Sequence, residues 1–216
     1  EESYRLCVDQ NGLPIASDQG AASPPVIDTG LDDALYSFEW SIDGVVQVGE
    51  SGASIIATTG GVYQVTITQL SSGCLAVVST TVTVSQAPVT WSFNLLNGAF
   101  ADNHSVEILA EGLGEYVYSI DGGPFQDSNV FSNVAPGVHT ITIKDANGCG
   151  QVSFDIGVVD YPNYFTPNND GYHDTWNIIG IAEFDASANI YIFDRYGKLL
   201  KQISPLTPGW DGTYNG

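Results

Sequence analysis

The sequence predicts an all-β chain of β-sandwich modules in tandem, and three observations carry that prediction. Gly (24 residues) and abundant Thr, Val and Ser lie in short apolar runs separated by turn residues, the pattern of many short strands. No stretch sustains the 3.6-residue periodicity of an amphipathic helix. In Val62-Tyr63-Gln64-Val65-Thr66-Ile67-Thr68 the alternation is strict. Tyr63, Val65 and Ile67 point one way and Gln64, Thr66 and Thr68 the other, as a strand with one buried face requires. At 43% hydrophobic residues over 216 positions, packed cores are affordable and wholesale disorder is not expected.

The first module takes residues 1–86, with candidate strands at 4–8, 35–42, 53–57, 62–68 and 75–84. Trp40 sits where an immunoglobulin-like sandwich keeps its central aromatic, so it is expected in the core and not at a binding surface. Residues 87–159 read as a second immunoglobulin-like copy. Trp40-Ser41-Ile42-Asp43-Gly44 recurs as Tyr118-Ser119-Ile120-Asp121-Gly122, Gly61 to Ile67 as Gly137 to Ile143, and Gly73-Cys74 as Gly148-Cys149. Elements repeated in one order imply repeated folds. Ser85-Gln86-Ala87-Pro88 and Val159-Asp160-Tyr161-Pro162 read as short linkers stiffened by Pro, which predicts an extended stalk.

Residues 160–216 form the third module, and its first stretch is the most tightly specified in the chain. Tyr164-Phe165-Thr166-Pro167-Asn168-Asn169-Asp170-Gly171-Tyr172-His173-Asp174-Thr175-Trp176 reads as strand, polar loop, strand. Pro167 sets its own φ and biases Thr166 to be extended, Asn168, Asn169 and Asp170 can bond their own backbone, and Gly171 accepts positive φ. Downstream come Ile190-Tyr191-Ile192-Phe193, expected to be a strand buried on both faces with a partner-covered face as the alternative, and the hairpin turn Asp194-Arg195-Tyr196-Gly197-Lys198. The chain ends in Gly209-Trp210-Asp211-Gly212-Thr213-Tyr214-Asn215-Gly216.

These three blocks, in this order, resemble the gliding-motility-associated C-terminal domain of Bacteroidota, the type B domain that directs proteins through the type IX secretion system. The pattern is F-T-P-N-G-D-G-x-N-D-x-W, then I-x-I-F-D-R-Y/W-G, then W-D-G-x-x-N-G. This chain has Asn169 where Gly is usual and His173 where Asn is usual. The resemblance implies further strands beyond Gly216, so the third module is expected to be incomplete here. It also implies that Phe165, Thr166, Pro167, Asn168, Asp170, Gly171, Asp174, Trp176, Asp194, Arg195, Gly197, Trp210, Asp211 and Gly212 form the secretion and anchoring signal, most of them by shaping loops. The second module is similar to the repeats of SprB-type adhesins, through Tyr116-Val117-Tyr118-Ser119-Ile120-Asp121-Gly122-Gly123-Pro124-Phe125 and the run from Gly137 to Cys149. There His139 replaces the usual Tyr, whose hydroxyl makes a corner bond, and must find another partner.

The charge excludes whole classes of partner. Twenty-five acids against five bases leave a net charge of −20, which repels nucleic acid and anionic membranes. Three of the five bases, Arg195, Lys198 and Lys201, gather in one turn and the strand after it. They read as charges that deter strand aggregation, with a cationic docking spot as the sharper alternative. The sequence contains no Met, which is the expectation for a processed chain or a fragment, and no run long enough to span a bilayer.

Catalytic and metal-binding patterns are sparse. No G-x-S-x-G elbow, phosphate loop or H-E-x-x-H occurs, and His104, His139 and His173 are scattered over the modules. Asn168, Asp170 and Asp174 offer oxygens at near-alternate spacing for Ca²⁺, but Thr166 occupies the first position of the full calcium-loop pattern, and a capped turn is the alternative. No cofactor is expected. Cys7, Cys74 and Cys149 include no C-x-x-C pair. A Cys7–Cys74 disulfide is expected for an exported protein, against the alternative of two separate buried thiols, and would leave Cys149 over.

The expectation for function is therefore a non-enzymatic cell-surface protein, the C-terminal region of a large adhesin. By resemblance, its last module is read by the type IX translocon and held at the outer membrane by a barrel protein of the SprF/PorP family. Two alternatives stand beside it. Trp91, Phe93, Phe100, Tyr116 and Tyr118 could stack on sugar rings, or the chain could be the tail of a large secreted hydrolase.

Overall fold

Seven strands supply the first sandwich: β1 (Ser3–Cys7), β2 (Val26–Asp28), β3 (Tyr36–Ile42), β4 (Val45–Val46), β5 (Ser54–Ile56), β6 (Gly61–Gln69) and β7 (Leu75–Ser85). The computed structural model describes residues 3–18, 23–98, 100–101, 103–183 and 185–214. One sheet runs β1-β7-β6-β3-β4, with β1 parallel to β7, and the other is the pair β2-β5. The five expected strands appear within a residue or two of their predicted ends. Two very short strands, β2 and β4, were not legible as alternation. Trp40, Tyr63 and Val65 are buried together with Leu6, Ile27 and Ile55, and the Trp40 indole N–H donates to the Gly52 carbonyl at 2.9 Å.

The following strands are β8 (Thr90–Leu95), β9 (His104–Glu111), β10 (Tyr116–Ile120), β11 (Val130–Val134), β12 (Gly137–Asp145) and β13 (Gln151–Val158). They form two three-stranded sheets, ordered β10-β12-β13 and β11-β9-β8. Alternation again sets the core: β9 buries His104, Val106 and Ile108, and β12 buries Ile141, Ile143 and Asp145. Ile181–Glu183 makes one 3₁₀ turn, after which β14 (Ile190–Phe193) and β15 (Leu199–Ile203) pair as an antiparallel hairpin. The chain is all-β, with immunoglobulin-like sandwiches in tandem. It divides into two compact units: residues up to Trp91 with Ala110–Val117 and Ile143–Val152, and Ser92–Leu109 with Tyr118–Thr142 and everything from Ser153. Among the described residues no helix is long and apolar enough to cross a membrane.

The repeated sequence blocks build the same local devices. Asp43-Gly44 and Asp121-Gly122 both hold positive φ (48° and 81°; 52° and 68°), as a tight hairpin turn demands. The Tyr63 hydroxyl donates to the Thr59 carbonyl four residues back, at 2.9 Å. His139 makes the same reach with Nε2, 2.7 Å from the Ala135 carbonyl, while Nδ1 lies 2.7 Å from Asp121 Oδ2. The imidazole thus keeps the corner bond of the tyrosine and adds a carboxylate.

Four expectations are corrected. The disulfide joins Cys7 to Cys149, with Cα atoms 5.1 Å apart, and Cys74 is an exposed thiol. The parallel register sets Cys7 opposite Ser85. Cys74 lies eleven positions away at the other end of β7, roughly 36 Å at the strand rise, far beyond disulfide reach. Second, Ser85, Gln86 and Pro88 are not an open linker but buried. The Ser85 hydroxyl donates to buried Asp145 at 2.9 Å, and Asp145 also accepts the backbone N–H groups of Glu115 (3.2 Å) and Cys149 (3.0 Å). A buried carboxylate needs such donors to offset its lost hydration. Third, β14 is not buried on both faces: Ile190 is buried, but Tyr191 and Phe193 are 51% and 57% exposed, because β14 is paired only with β15 among the described residues. Fourth, among the described residues no strand ladder flanks the polar loop. Trp176 instead forms an isolated bridge with Trp210, and Asp160 one with Ile179.

Candidate recognition site

The first motif folds around one carboxylate. Asp174 Oδ1 accepts the backbone N–H of Asn168 at 3.1 Å and of Asn169 at 2.6 Å, and Oδ2 accepts that of Gly171 at 2.7 Å. Such a turn points consecutive N–H groups inward only if some residues leave the right-handed region. Asn169 (φ 63°), Gly171 (88°) and His173 (53°) all do. Two of these, Asn169 and His173, are the positions where the chain departs from the family pattern of Gly and Asn. Asn tolerates the left-handed region, and His is enriched there among non-glycine residues.

A second carboxylate braces the tip. Asp170 Oδ1 accepts the Tyr172 N–H at 2.8 Å and Oδ2 the Asn168 side-chain amide at 2.8 Å. Those hydrogen bonds, the backbone one first, hold its pKa below the ordinary carboxylate value, with slight burial opposing and the nearby His173 assisting. Thr166 closes the base by donating its N–H to the His173 carbonyl at 2.7 Å. The calcium reading of Asn168, Asp170 and Asp174 is not supported by this geometry. The carboxylates face N–H donors of their own loop, a positive lining opposite to the oxygen cage a cation needs. Among the described residues no group of three or more His, Cys, Asp or Glu side chains could hold a metal.

The third motif docks on the first. Trp176 and Trp210 exchange backbone hydrogen bonds, each 2.8 Å, and the Phe165 ring lies 5.6 Å from that of Trp210. The Trp176 indole donates to the Pro162 carbonyl at 3.0 Å and the Trp210 indole to the Thr213 carbonyl at 2.8 Å. Both glycines here are demanded by contact. A Cβ on Gly209 would meet the Trp176 carbonyl oxygen at 2.5 Å, and one on Gly212 would lie 3.3 Å from the Phe165 ring. Asp211 accepts from the Thr213 hydroxyl (2.7 Å) and N–H (3.0 Å), which, with the charge of Lys201, hold its pKa below the ordinary value.

The second motif is the β14–β15 turn. Asp194 Oδ1 accepts the N–H groups of Tyr196 (2.8 Å) and Lys198 (2.9 Å), and Gly197 sits at φ 82°. The Arg195 guanidinium lies 4.9 Å from the Tyr196 ring centroid, and Lys198 Nζ lies 4.0 Å from that of Tyr214 in the third motif. All three blocks therefore meet in one module. Asn215 and Gly216 lie outside the described residues.

Asp170, Asp174, Asp194 and Asp211 each accept backbone N–H groups, Phe165 packs on Trp210, and Trp176 and Trp210 pair. Sequence reasoning missed Gly209, Asn169 and His173 as site residues. The signal available for them was the demand for positive φ beside a polar turn. Of the five aromatics Trp91, Phe93, Phe100, Tyr116 and Tyr118, Tyr118 is buried, Trp91 and Phe100 are exposed, and Phe100 lies 5.5 Å from the Tyr161 ring.

Residues 159–216 match the CHU_C type IX secretion signal domain family. The module is thus a type IX secretion signal domain, which marks an exported protein. No curated protein matches the chain. Solved structures similar to it include the amphioxus IgVJ-C2 molecule (11% identity, TM-score 0.38, 62% of this chain and 94% of that one). Murine CEACAM1b is similar at 12% identity (TM-score 0.37, 60% and 87%). The fibronectin(III)-like modules of Clostridium thermocellum CbhA are similar at 14% (TM-score 0.29, 57% and 78%). The sandwich architecture stands on the strand pairing itself.

Proposed function

We propose that the chain is the C-terminal region of a large secreted cell-surface adhesin of the gliding-motility type. Residues 160–216 act as the sorting and anchoring signal, read by the type IX translocon and then held at the outer membrane by a barrel protein of the SprF/PorP family. Residues 1–86 and 87–159 act as stalk modules that carry the adhesive end away from the cell. The protein works by recognition and not by chemistry. One observation supports the reading: the three separated motifs touch one another through Trp176–Trp210, Phe165–Trp210 and Lys198–Tyr214, and their carboxylates accept backbone N–H groups of their own loops.

The test is surface display. A fluorescent protein fused ahead of residue 160 through the native C-terminus should reach the cell surface and co-purify with an outer-membrane barrel protein. Deleting residues 165–176 should abolish both. Unchanged display and pull-down after that deletion would refute the assignment of the signal to this loop.

A further inference from the structure

Cys7 closes β1, Cys149 stands two residues ahead of β13, and the bond between them bridges 142 positions of chain. Residues 8–148 lie inside that bridge, and with them every strand from β2 to β12. A pull that enters ahead of β1 and leaves after β13 therefore has two covalent routes. One is the backbone through residues 8–148, roughly 500 Å when drawn out. The other is the disulfide, with its Cα atoms 5.1 Å apart. The shorter route takes the tension and the longer one stays slack.

Both ends of the short route are fastened. Cys7 and Cys149 are each 2% exposed. Buried Asp145 accepts the Cys149 N–H at 3.0 Å, and its own N–H donates to the Gly150 carbonyl at 2.9 Å. The Gly148 carbonyl accepts the Asp18 N–H at 2.8 Å and the Ser17 hydroxyl at 3.2 Å, and the Arg5 guanidinium donates to the Asn147 side chain. Asp145 also accepts the hydroxyl of Ser85, the β7 residue opposite Cys7. The end of β1, the end of β7 and the loop 145–150 are thus tied at one point.

The strands that lead to and from this point have little length to give. β1 has five residues and β13 has eight. A strand already rises about 3.3 Å per residue against a limit of about 3.6 Å, so a pull along its axis lengthens it by only about a tenth.

We propose that the Cys7–Cys149 bond is a tension bypass. Load runs along β1, across the disulfide and down β13, and β2 to β12 stay outside the loaded path. The presence of load rests on the stalk role proposed above, whereas the route rests on the bond. With the bond closed, the length that a pull can release lies beyond β13, in residues 159–216. With it open, tension enters at Val8 and unravels the sandwiches.

The experiment stretches the whole chain in an optical trap between tags at its first and last residues, with the Cys74 thiol capped by N-ethylmaleimide. The oxidised chain should release no more than about 200 Å, the length held in residues 159–216. The bond is then opened in two independent ways. One is Cys7→Ala together with Cys149→Ala. The other is tris(2-carboxyethyl)phosphine in urea, washed out before stretching. That reagent converts the disulfide to two thiols, and the phosphine takes oxygen from water to become its oxide. Each should add roughly 500 Å. The fully stretched length is read whether or not the opened chain refolds. An oxidised chain that releases roughly 500 Å, as a Cys7–Cys74 pairing would allow, overturns the proposal. So does an opened chain that gains no length. Failure of residues 160 onward to reach the cell surface would sink the stalk and anchor reading and leave this route standing.

Discussion

Oδ1 of Asp174 lies 2.6 Å from the backbone nitrogen of Asn169, and Asn169 itself holds a left-handed φ of 63°. The two facts are linked, because that φ turns the N–H toward the carboxylate. Asn169→Gly should leave stability nearly unchanged, since Gly adopts the region freely. Asn169→Val should cost about 1–2 kcal/mol. Asp174→Ala should cost about 1 kcal/mol, because water reaches the freed N–H groups. Urea unfolding of the whole chain checks all three.

Gly209 and Gly197 both have positive φ (106° and 82°), but only Gly209 is crowded. Gly197→Ala meets nothing within 4 Å and should cost about 1 kcal/mol of backbone strain. Gly209→Ala adds a clash with the Trp176 carbonyl and should cost at least twice as much, breaking the Trp176–Trp210 bridge. Trp fluorescence during unfolding separates the two outcomes.

His139 predicts a pH dependence. Burial pulls its pKa down, but the hydrogen bonds to Asp121 and Ala135 and the Asp121 charge outweigh it and raise the value above 6.5. Asp121 responds in the opposite sense: burial pushes up, and the bonds from His139 and Thr140 prevail to lower it below 3.8. A raised histidine contributes stability that is full below about pH 6.5 and lost as pH rises through its folded value. A lowered aspartate contributes above about pH 3.8 and loses that contribution as pH falls through its folded value. The pair should therefore stabilise most between those limits. His139→Tyr, which can keep the corner bond that Tyr63 makes, should flatten the fall in melting temperature from pH 6 to 8.

The cysteines give a count and a magnitude. Native protein should react with one thiol reagent per chain, at Cys74, and Cys74→Ala should be neutral. Cys149→Ala opens a bridge spanning 142 positions and should cost up to about 5 kcal/mol in the chain-entropy account, read from the denaturant midpoint.

Much of the fold was legible because its causes are local. Alternation placed β6 and the core face of Tyr63, Val65 and Ile67, since side chains of a strand point to opposite faces at every step. Gly197 announced its turn through the φ value it tolerates. The polar loop announced itself the same way. What escaped were strands too short to show a period, such as β2 and β4, and the crowding at Gly209, which depends on a carbonyl 33 positions away.

The sequence by itself determined that this is an all-β chain whose last stretch carries the pattern of a secretion signal, because strand period and turn stereochemistry are written within a few residues. Tertiary structure alone decided that Cys7 meets Cys149, that Trp176 pairs with Trp210, and that Tyr191, Phe193 and Val78 face solvent. Those outcomes turn on which distant segments come to lie side by side, and strand register, not local composition, sets that.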